Sequence, residues 1–595
     1  MRDKKWVVLA KKADFKEIAD KYGIDQVTAR LIRNRDITDD NEINMFLNAN
    51  VEDLYSPKLL PDIDNGVEII LSKIKEKKHI RIIGDYDIDG VTSTYILQYA
   101  IKVLGGEVSF VIPDRIEDGY GLNKRLIENA IEDKVDTILT CDNGISAVEE
   151  IRYAKDNGLS VVVTDHHNQP FIFAGEEKQY VTVDADAVID PKVITSTYPF
   201  PEICGAFVAF KFVQELFTKA GLSKEDIERH FNHLSMYAAI GTIGDIMELR
   251  SENRIIVKHG LKLLRKTDNI SLNALIDACK LKKENIGPYH IGFVLGPCIN
   301  ASGRLETAEQ ALNLLISNDE EECKRLALRL VELNAERKAL TEEYKDKACE
   351  LIDTTDLNDD NVLVVPLYDC HESIAGIIAG RIREKYNKPV LVVTKTKEGL
   401  KGSGRSIPAY NMFDEMSKVK ELFTKFGGHA MAAGFSLTEE NLPKLRKALN
   451  DNESLTEEDL TEVLRLDMQL PPEYLTYDFI REIDRLEPYG NGNPKPVFGE
   501  KNMTVMSLKV LGNERKVIKM MLKTKRGNKF EAISFEDVEN VRAFMAMRYD
   551  EVMVEDLFAG RMTGIKLTIA YEPSINEYNG RKTIQLTIKD MKHAD

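Results

Sequence analysis

Aspartates alternate with other residues in the segment GDYDIDG, at positions 84–90, which follows a short apolar run. An EF-hand calcium loop begins in the same way, but its twelfth position requires a glutamate, and here Ile96 stands there. What remains is a loop at a strand end that directs Asp85, Asp87 and Asp89 onto a hard cation. The segment therefore predicts a metal site and disfavours a calcium-binding structural module.

Two further polar clusters follow apolar runs in the same part of the chain. Asp142-Asn143-Gly144 is a weak signal by itself, because Asn-Gly is a common turn. The segment TDHH carries more information, because two adjacent histidines point in different directions. His166 can then bind a metal while His167 faces a substrate phosphate, and Asp165 can fix the tautomer of a ring.

Asp245 lies in the apolar stretch AAIGTIGDIMEL, where a buried aspartate must be paired or metal-bound, so ligation and a helix-cap role are both compatible with it. Together these segments supply about five carboxylates and two histidines, without cysteine. Hard oxygen donors with a little imidazole favour Mn²⁺ or Mg²⁺ over structural zinc. Two such ions about 3.5–4 Å apart can activate a water and stabilise both oxygens of an in-line phosphoryl displacement.

The segments around these residues follow an α/β pattern between about residues 66 and 260, in which short apolar runs alternate with helical periodicity. We predict a largely parallel sheet with strands at Ile80–Ile83, Val108–Ile112, Thr137–Thr140, Ser160–Thr164 and Val181–Val183. Several of these strands end in the polar clusters. Ligands of open α/β sheets bind beyond the carboxyl ends of the strands, so the acidic residues should gather at that edge.

With 595 residues, the chain is too long for one core and should form several domains. The predicted segments are an N-terminal helical segment (1–60), a catalytic α/β domain (61–315), a long connecting helix (316–354), a smaller α/β domain (355–455) and a β-barrel (456–595). The smaller α/β domain contains the glycine-rich segment KGSGRS at 401–406. We read it as a loop whose backbone N–H groups and arginine bind an anion.

The bulk composition, with 43% hydrophobic and 30% charged residues, is that of an ordinary soluble protein. No apolar run approaches the roughly 20 residues of a membrane span, and the N-terminal apolar stretch is too short for a signal peptide. Seven cysteines without a CxxC pair argue for free thiols in a reducing compartment, so we expect a cytoplasmic protein. The absence of a GxxxxGK[ST] loop disfavours a nucleotide-driven motor.

The net charge of −17 does not suggest nucleic-acid binding, but phosphate contacts come from a local basic surface. Residues 501–529 carry a group of basic residues that includes Lys516 and Lys519. On charge alone, a solvated sheet face is the plainer interpretation of that segment.

The ordered motifs GDYDIDG, CDNGIS, TDHH and AIGTIGD are similar to those of the DHH phosphoesterase superfamily, and GGHAMAAGF at 427–435 resembles the glycine-histidine motif of the DHH-associated domain. Within that superfamily, the chain most resembles the bacterial RecJ family. The supporting stretches are DRIEDGYGL at 114–122, NASGRL at 300–305, HESIAGIIAGRI at 371–382, KGSGRSI at 401–407 and LEPYGNGNPKPVF at 486–498. The ending, INEYNGRKTIQLTIKD, resembles that family's OB-type domain, and the resemblance covers nearly the whole chain from about residue 50.

The resemblance implies an α/β protein in which a parallel-sheet DHH domain is joined by a long helix to a smaller α/β DHH-associated domain, followed by a C-terminal OB-type β-barrel. It implies a 5′→3′ exonuclease that degrades single-stranded DNA to 5′ mononucleotides in recombination and repair, with two Mn²⁺ or Mg²⁺ ions. The implied partners are single-stranded DNA, a single-strand-binding protein and a RecQ-type helicase. We expect no membrane contact and a monomer.

The resemblance also implies roles for individual residues. The implied metal ligands are Asp85, Asp87, Asp89, Asp142, His166 and Asp245, and which aspartates of the first motif bind directly stays open. Catalytic roles near the scissile phosphate are implied for Asp87, Asp142, His167 and His429. The expected nucleic-acid contacts are Arg304, Ser403, Arg405 and Ser406, together with Lys516 and Lys519 of the basic segment.

Three positions depart from the family's pattern, namely Asp190, where asparagine is more usual, and Ser373 and Ala375, where glycine and a larger aliphatic residue are expected. One alternative is a smaller DHH phosphodiesterase that acts on short oligoribonucleotides, cyclic dinucleotides or 3′-phosphoadenosine 5′-phosphate. Such relatives generally lack the OB-like tail and the long helix. A non-catalytic scaffold is a second alternative, but it requires broken metal motifs, and here all of them are intact.

Overall fold

The computed structural model describes residues 4–119, 121–174, 177–397, 399–512, 517–578 and 580–594. The strands, in chain order, are β1 Lys5–Val8, β2 Ile80–Ile83, β3 Val108–Val111, β4 Thr137–Cys141, β5 Ser160–Thr164, β6 Phe171–Ala174, β7 Glu177–Tyr180, β8 Ala187–Ile189, β9 Leu363–Pro366, β10 Val390–Thr396, β11 Gly399–Arg405, β12 Phe423–His429, β13 Ala432–Leu437, β14 Val463–Leu466, β15 Met468–Gln469, β16 Phe498–Leu511, β17 Val517–Lys523, β18 Lys529–Ser534, β19 Lys566–Tyr578 and β20 Arg581–His593.

The α-helices are α1 Phe15–Tyr22, α2 Gln26–Asn34, α3 Asp40–Asn48, α4 Ile63–Lys75, α5 Ile88–Val103, α6 Lys124–Glu132, α7 Val148–Asp156, α8 Gly205–Lys219, α9 Lys224–Gly244, α10 Ser251–Leu264, α11 Ile270–Ala278, α12 Pro288–His290, α13 Gly296–Leu305, α14 Glu309–Ile316, α15 Glu320–Thr354, α16 Glu372–Tyr386, α17 Met412–Ser417, α18 Leu442–Asn452, α19 Tyr477–Asp484, α20 Val538–Ala546 and α21 Glu551–Phe558. No helix in the described part of the chain has both the length and the apolar character that crossing a membrane requires. The chain forms two compact units, one of residues 49–460 and one of residues 1–48 together with 461–595.

The first sheet of the 49–460 unit is parallel, with the strand order β3-β2-β4-β5-β8. Its central strands β2 and β4 are fully buried, because helices pack on both faces and water reaches neither side. Such strands read as continuous apolar runs, as IRII and TILTC do here. The predicted parallel sheet is confirmed, with four of its five strands where the sequence places them.

The fifth predicted strand, Val181–Val183, is wrong. The chain between β5 and the sheet edge first forms the β6–β7 hairpin, which the N–H of Val181 closes by donating to the carbonyl of Pro170. The edge strand is instead β8, and Asp186 precedes it with a carboxylate that accepts the N–H of Val161 at 2.7 Å. Val181–Val183 and Ala187–Ile189 are both short apolar runs, and only the pairing of the second run with β5 distinguishes them.

The long helix α15 belongs to two hydrophobic cores at once. Leu326 and Leu330 near its start pack into the core beside the parallel sheet. Ala348 and Ile352 near its end pack into a core beside strands β9 and β10. A continuous helix rises about 1.5 Å per residue, so this one element holds the two cores at a defined separation.

The second sheet has the strand order β12-β13-β11-β10-β9, antiparallel except for the β9–β10 pair. The segment KGSGR, predicted as an anion-binding loop, is strand β11 in the middle of this sheet, so its backbone N–H groups take part in ladders with β10 and β13. The loop interpretation is therefore wrong. The GGHAMAAG segment is likewise the β12–β13 hairpin.

Close packing explains the glycines of β11. A Cβ at Gly402 would lie 2.2 Å from the ring of Phe435, and one at Gly404 would lie 2.2 Å from the sulfur of Met412. Both glycines therefore face the core, while the alternating residues Ser403 and Arg405 face the other side of the sheet. The glycine pattern serves packing on one face and leaves the polar side chains on the opposite face.

The remaining unit is built around a β-barrel. Strands β16, β17, β18, β20 and β19 pair in that order, and β19 pairs again with β16, which closes the barrel. Helices α2 and α3 contribute Leu31 and Phe46 to the same core as Phe498 and Tyr571 of the barrel. Strand β1 also pairs with β14. The N-terminal helices are therefore part of the barrel unit, although residues 1–60 and 456–595 are predicted as separate segments.

The packing of β11 leads to a stability prediction. Gly402→Ala should lower the free energy of unfolding by about 1–3 kcal/mol, because the added methyl group overlaps the Phe435 ring. Gly434→Ala on the adjacent strand is the matched control, since its Cβ would meet nothing within 4 Å. Urea unfolding of the two variants and the parent protein measures the difference, and equal stabilities for both variants would contradict this account of the glycines.

Candidate metal centre and adjoining cleft

The chemically active side chains lie at the carboxyl edge of the parallel sheet. Strand β2 leads directly to Asp85, β4 to Asp142, and β5 to the segment Asp165–His167. Asp245 reaches the same place from another direction, as the residue that caps the carboxyl end of α9. Parallel strands bring loops that are far apart in sequence together at one edge, and here those loops carry the carboxylates.

Backbone N–H groups hold the aspartates of the first motif. Asp87 caps α5, with one carboxylate oxygen accepting the N–H groups of Asp89 at 2.9 Å and Gly90 at 3.1 Å. Asp89 is buried and accepts the N–H groups of Gly205 at 2.6 Å and Ala206 at 2.9 Å, at the N-terminus of α8. The partial positive charge of a helix N-terminus favours a carboxylate there.

Asp142 occupies the centre of the site in a left-handed backbone conformation, with φ of +59°. Its side chain is buried, and a Cβ at Gly205 would lie 2.8 Å from the Cβ of Asp142. The absence of a side chain at Gly205 thus lets α8 approach Asp142 and present its N-terminus to Asp89.

His166 lies among carboxylates on three sides. Its Nε2 is 3.0 Å from a carboxylate oxygen of Asp142, 3.6 Å from one of Asp89 and 3.8 Å from one of Asp245. Burial, and after it the charge of His167, lower the pKa of His166 to about 4. The ring is therefore neutral near pH 7 and can bind a cation without first losing a proton.

These donors form overlapping groups, in each of which one ligand atom per residue lies within 4.8 Å of the others. The groups are Asp85, Asp87 and Asp142; Asp89, His166 and Asp245; and Asp142, His166 and His167. All six predicted metal ligands therefore meet in one place. Asp142 is common to two groups and contacts His166 of the remaining one, so two neighbouring cation positions fit this donor set.

Two features of the cluster fit a bound cation. Among the described residues, the Oδ1 of Asp85 and the Nδ1 of His166 are buried without a hydrogen-bond partner. Burial, followed by the charges of neighbouring aspartates, raises the pKa values of Asp85 and Asp142 well above normal, and those of Asp89 and Asp245 to about 6 and about 7. Carboxylates so placed favour either a proton or a metal ion.

His167 is oriented by Asp165. The Nδ1 of the ring lies 2.7 Å from Asp165, whose carboxylate also accepts the N–H groups of His166 and Ile145. Burial lowers the pKa of His167, but the hydrogen bond and charge of Asp165 outweigh it and raise the pKa to about 9. With Nδ1 held by Asp165, the other nitrogen of the ring is directed away from that carboxylate, and 42% of the side chain is exposed.

Asp190, where the family more often has asparagine, is fully buried near Asp165. Burial, together with the charge of Asp165, raises its pKa to about 8, so the carboxyl group is largely neutral at pH 7. A neutral carboxyl group has nearly the shape of an amide, which accounts physically for aspartate at this position. One oxygen of the Asp190 carboxyl group accepts the N–H of Lys192 at 2.7 Å.

An open cavity of about 450 Å³ adjoins the metal centre within the 49–460 unit. Tyr86, between the first two aspartates of the motif, lines one side of it, and the second sheet and the start of α16 line the other. Ser403 faces this cavity, as do Lys401 and Lys425. The cavity thus has Tyr86 of the aspartate motif and Arg115 on one side, and Lys425 together with the Lys401–Glu372 ion pair on the other.

Two arginines stand at the boundary between these walls. Arg304 is shielded from solvent, and its Nη1 donates to the carbonyl of Ser373 at 2.6 Å. Burial and the charges of Arg115 and Arg337 lower the pKa of Arg304, which means that they disfavour its charged form. An anion bound there would stabilise the positive charge of the guanidinium group. Arg115 lies 3.8 Å from the ring centroid of Tyr86. No role is predicted for Arg115 from the sequence, although the motif DRIEDGYGL contains this residue.

The other residues predicted to bind nucleic acid have mixed surroundings. Arg405 and Ser403 lie close to Gly376 of α16, on the polar face of β11. Ser406, in contrast, is buried, and its hydroxyl donates to the carbonyl of Tyr410, so this hydroxyl is already engaged within the chain and does not face a ligand. His429 is exposed at the end of β12, with its Nδ1 accepting the N–H of Met431 at 3.2 Å, and it belongs to none of the three donor groups.

The basic segment of the barrel is only partly described. Lys516 lies outside the described residues. Lys519 stands opposite Lys509 in the β16–β17 ladder, and its Nζ is 2.7 Å from Glu531. A lysine that is already paired with a carboxylate contributes less to an attractive surface for phosphates than its charge suggests.

Comparisons with known proteins match this arrangement. The chain matches the sequence profiles described as the DHH family N-terminal domain (residues 79–241), the DHHA1 domain (359–454) and the RecJ OB domain (466–590). It is 34% identical to the single-stranded-DNA-specific exonuclease RecJ of Bacillus subtilis, over 97% of this chain and 69% of that protein. It is 30% identical to the RecJ of Haemophilus influenzae, over 95% and 96% of the two chains.

Among solved structures, RecJ of Thermus thermophilus in complex with Mn²⁺ aligns with a TM-score of 0.80 at 25% identity, covering 100% of this chain and 80% of that one.

The raised carboxyl pKa values lead to a prediction about pH. With pKa values of about 6 and about 7, Asp89 and Asp245 are mostly protonated at about pH 5.5 in the cation-free protein and mostly ionised at about pH 7.5, so Mn²⁺ competes with protons for the site. Because their folded pKa values exceed the unfolded value, the cation-free protein should lose stability as pH rises over this range. The increase in Tm on adding Mn²⁺ should therefore be larger at about pH 7.5 than at about pH 5.5.

Thermal unfolding with Mn²⁺ or with a chelator measures this increase. The variant Asp142→Asn serves as the control and should show little increase at either pH. An increase in the parent protein that does not change with pH would contradict the assignment of these carboxylates to the cation site.

Proposed function

The chain belongs to the RecJ family, and on that premise we propose that it is a metal-dependent exonuclease that degrades single-stranded DNA in the 5′→3′ direction and releases 5′ mononucleotides. The relatives are named as single-stranded-DNA-specific exonucleases, and the solved structure of RecJ from Thermus thermophilus is a complex with Mn²⁺. We propose a role in DNA recombination and repair from the same resemblance.

The observation that carries this proposal is the cluster of carboxylates around Asp142 and His166. Its six donors are of the hard-oxygen and imidazole types, and two of its buried atoms, on Asp85 and His166, have no partner within the described chain. Tyr86, between two of the clustered aspartates, lines a cavity that has Lys425 and the Lys401–Glu372 ion pair on its opposite side. A negatively charged phosphodiester can thus be held by cationic groups while its phosphorus faces the donor cluster.

We propose two cation positions, one held by Asp85, Asp87 and Asp142 and the other by Asp89, His166 and Asp245. Mn²⁺ or Mg²⁺ bound there would lower the pKa of water and stabilise charge on the phosphate during an in-line displacement. Asp142 lies between the two positions, so its loss would affect both. Asp89 also ties the motif to α8, which keeps its carboxylate in place.

The reaction we propose is hydrolysis of the first internucleotide bond. Water attacks the phosphorus, the bond to the 3′ oxygen of the terminal nucleotide breaks, and the shortened strand keeps a 5′ phosphate. His167, oriented by Asp165, would donate a hydrogen bond to a phosphate oxygen or to the leaving oxygen. The family resemblance also implies that His429 lies near the same phosphate, and we propose this position for it.

Binding of the strand would involve both walls of the cleft. We propose that Arg304, Ser403 and Arg405 contact the 5′ phosphate or the backbone, and that Arg115 adds a further charge beside Tyr86. The barrel unit, including Lys516 and Lys519, would hold the strand without sequence preference and with salt-sensitive affinity. Its presence favours a polymeric substrate over the short oligoribonucleotides and cyclic dinucleotides of smaller relatives.

We further propose a cytoplasmic location, which is consistent with the seven cysteines, all of them free thiols. A single-strand-binding protein and a RecQ-type helicase are proposed partners, since an exonuclease of this kind needs unwound DNA. Both proposals rest on the family resemblance.

The central role of Asp142 gives the first test. On single-stranded DNA with a 5′ label and Mn²⁺, the parent protein should release labelled mononucleotide at once, and Asp142→Ala should lower the rate at least about 1,000-fold. Removal of metal with EDTA should have the same effect. Asp156→Asn, at an exposed position on α7, is the matched control and should retain full activity. Retained activity in Asp142→Ala, or digestion that starts from the 3′ end, would refute the proposal.

The cleft gives a second test, because we propose that it admits one strand and is too narrow for a duplex. Blunt duplex DNA should be degraded at least about 100-fold more slowly than the same strand alone, and a 5′ single-stranded overhang should restore the rate. A time course with all three substrates at equal strand concentration measures this, and equal rates on blunt duplex and single strand would overturn the steric explanation.

A further inference from the structure

Two aromatic side chains are strongly exposed at the start of the helical run from residue 288 to residue 305. Tyr289 and Phe293 are 65% and 66% exposed, and their rings stack with centroids 5.1 Å apart and an interplanar angle of 25°. The turn between α12 and α13, Ile291–Leu295, is a π-helix. Single exposed apolar residues are normal on a protein, but a stacked aromatic pair in solvent offers a flat ring surface that another ring can cover.

The run lies along the metal centre. A Cβ at Gly292 would lie 3.8 Å from Ile243, two residues before Asp245, and one at Gly296 would lie 3.2 Å from Ile88. At the other end of the run, a Cβ at Gly303 would lie 2.5 Å from the carbonyl oxygen of Tyr86. One side of the run therefore contacts, in turn, the end of α9 and the loop that carries the first aspartates.

The aromatic pair and Arg304 share a side of this run. Phe293 and Arg304 are eleven residues apart, which is close to three helical turns, and Tyr289 is about one turn before Phe293. The axial distance from Phe293 to Arg304 is about 16 Å. Between them, Asn300 has a buried Oδ1 that finds no hydrogen-bond partner in the part of the chain that is described. This side of the run therefore carries Arg304 at one end, the Asn300 amide in the middle, and the aromatic pair at the other end.

We propose that Tyr289 and Phe293 form a stacking surface for nucleobases of the substrate strand, inward from the phosphate held near Arg304. The inference rests on the proposed function and adds a second point of contact to it. A distance of about 16 Å corresponds to roughly three to five nucleotides, because a stacked strand rises by about 3.4 Å per nucleotide and an extended strand by more. Stacking on an aromatic ring accepts any base, which suits an enzyme that degrades strands of every sequence.

Binding of 5′-phosphorylated DNA in EDTA tests the surface without cleavage. Phe293→Ala should weaken binding of a ten-nucleotide strand about 10-fold, whereas its rate of hydrolysis of a dinucleotide with Mn²⁺ should not change, because a dinucleotide does not reach the pair. Phe293→Tyr keeps a ring and should retain the affinity, and Phe293→Leu should not. Leu328→Ala, at a 55% exposed position on α15, is the matched control and should bind as the parent protein does.

Abasic substitutions locate the contact along the strand. In the parent protein, removal of the bases about three to five nucleotides from the 5′ end should weaken binding about 10-fold, and removal of bases in Phe293→Ala should add nothing. Equal loss in Phe293→Ala and the parent protein would overturn the proposal, as would an equal effect of Phe293→Ala on the dinucleotide and the longer strand. If the parent protein degrades DNA and Phe293→Ala binds it normally, only the stacking surface fails; if the parent protein neither binds nor degrades DNA, the proposed function fails first.

Discussion

Repulsion among buried carboxylates is the constraint on which the rest of this structure depends. Asp89, Asp142 and Asp245 lie within 3.8 Å of His166, and Asp85 lies beside Asp142, mostly out of contact with water. Such a group is costly to keep ionised without a counter-charge, and the raised pKa values of its members express that cost. A protein that maintains the arrangement does so because a multivalent cation turns the repulsion into ligation.

The backbone around the cluster is arranged to hold the carboxylates in place before a cation arrives. Asp87 and Asp89 accept N–H groups at the start of α5 and α8, which supply partial positive charge without adding a competing side chain. Gly205 lets α8 approach Asp142, and Asp142 adopts a left-handed conformation to face the cluster. The burial of β2 and β4 on both faces makes their carboxyl ends a rigid support for these loops.

The wall of the cleft that contains β11 also depends on residues without side chains. Because Gly402 and Gly404 lack side chains, Phe435 and Met412 can pack against β11. The alternate residues Ser403 and Arg405 lie on the polar face of the strand. Helix α15 takes part in both cores, so the separation of the walls is set by a helix and not by a flexible linker. The cleft that is proposed to hold one strand beside the donor cluster needs such a fixed width.

Short motifs and local periodicity predict the candidate metal donors, the parallel sheet that carries them and the family, because each of these features is recorded in residues that are close together in the chain. Asp85, Asp142 and His166 follow apolar strands, and strand ends of a parallel sheet must meet at one edge. The folded chain alone shows that β8 and not Val181–Val183 completes the sheet, that KGSGR is a strand, and that residues 1–48 belong to the barrel unit. It also placed Arg115 on Tyr86 and buried Ser406. These outcomes depend on contacts between distant segments, and a local pattern of residue types does not record which distant partner a segment will meet.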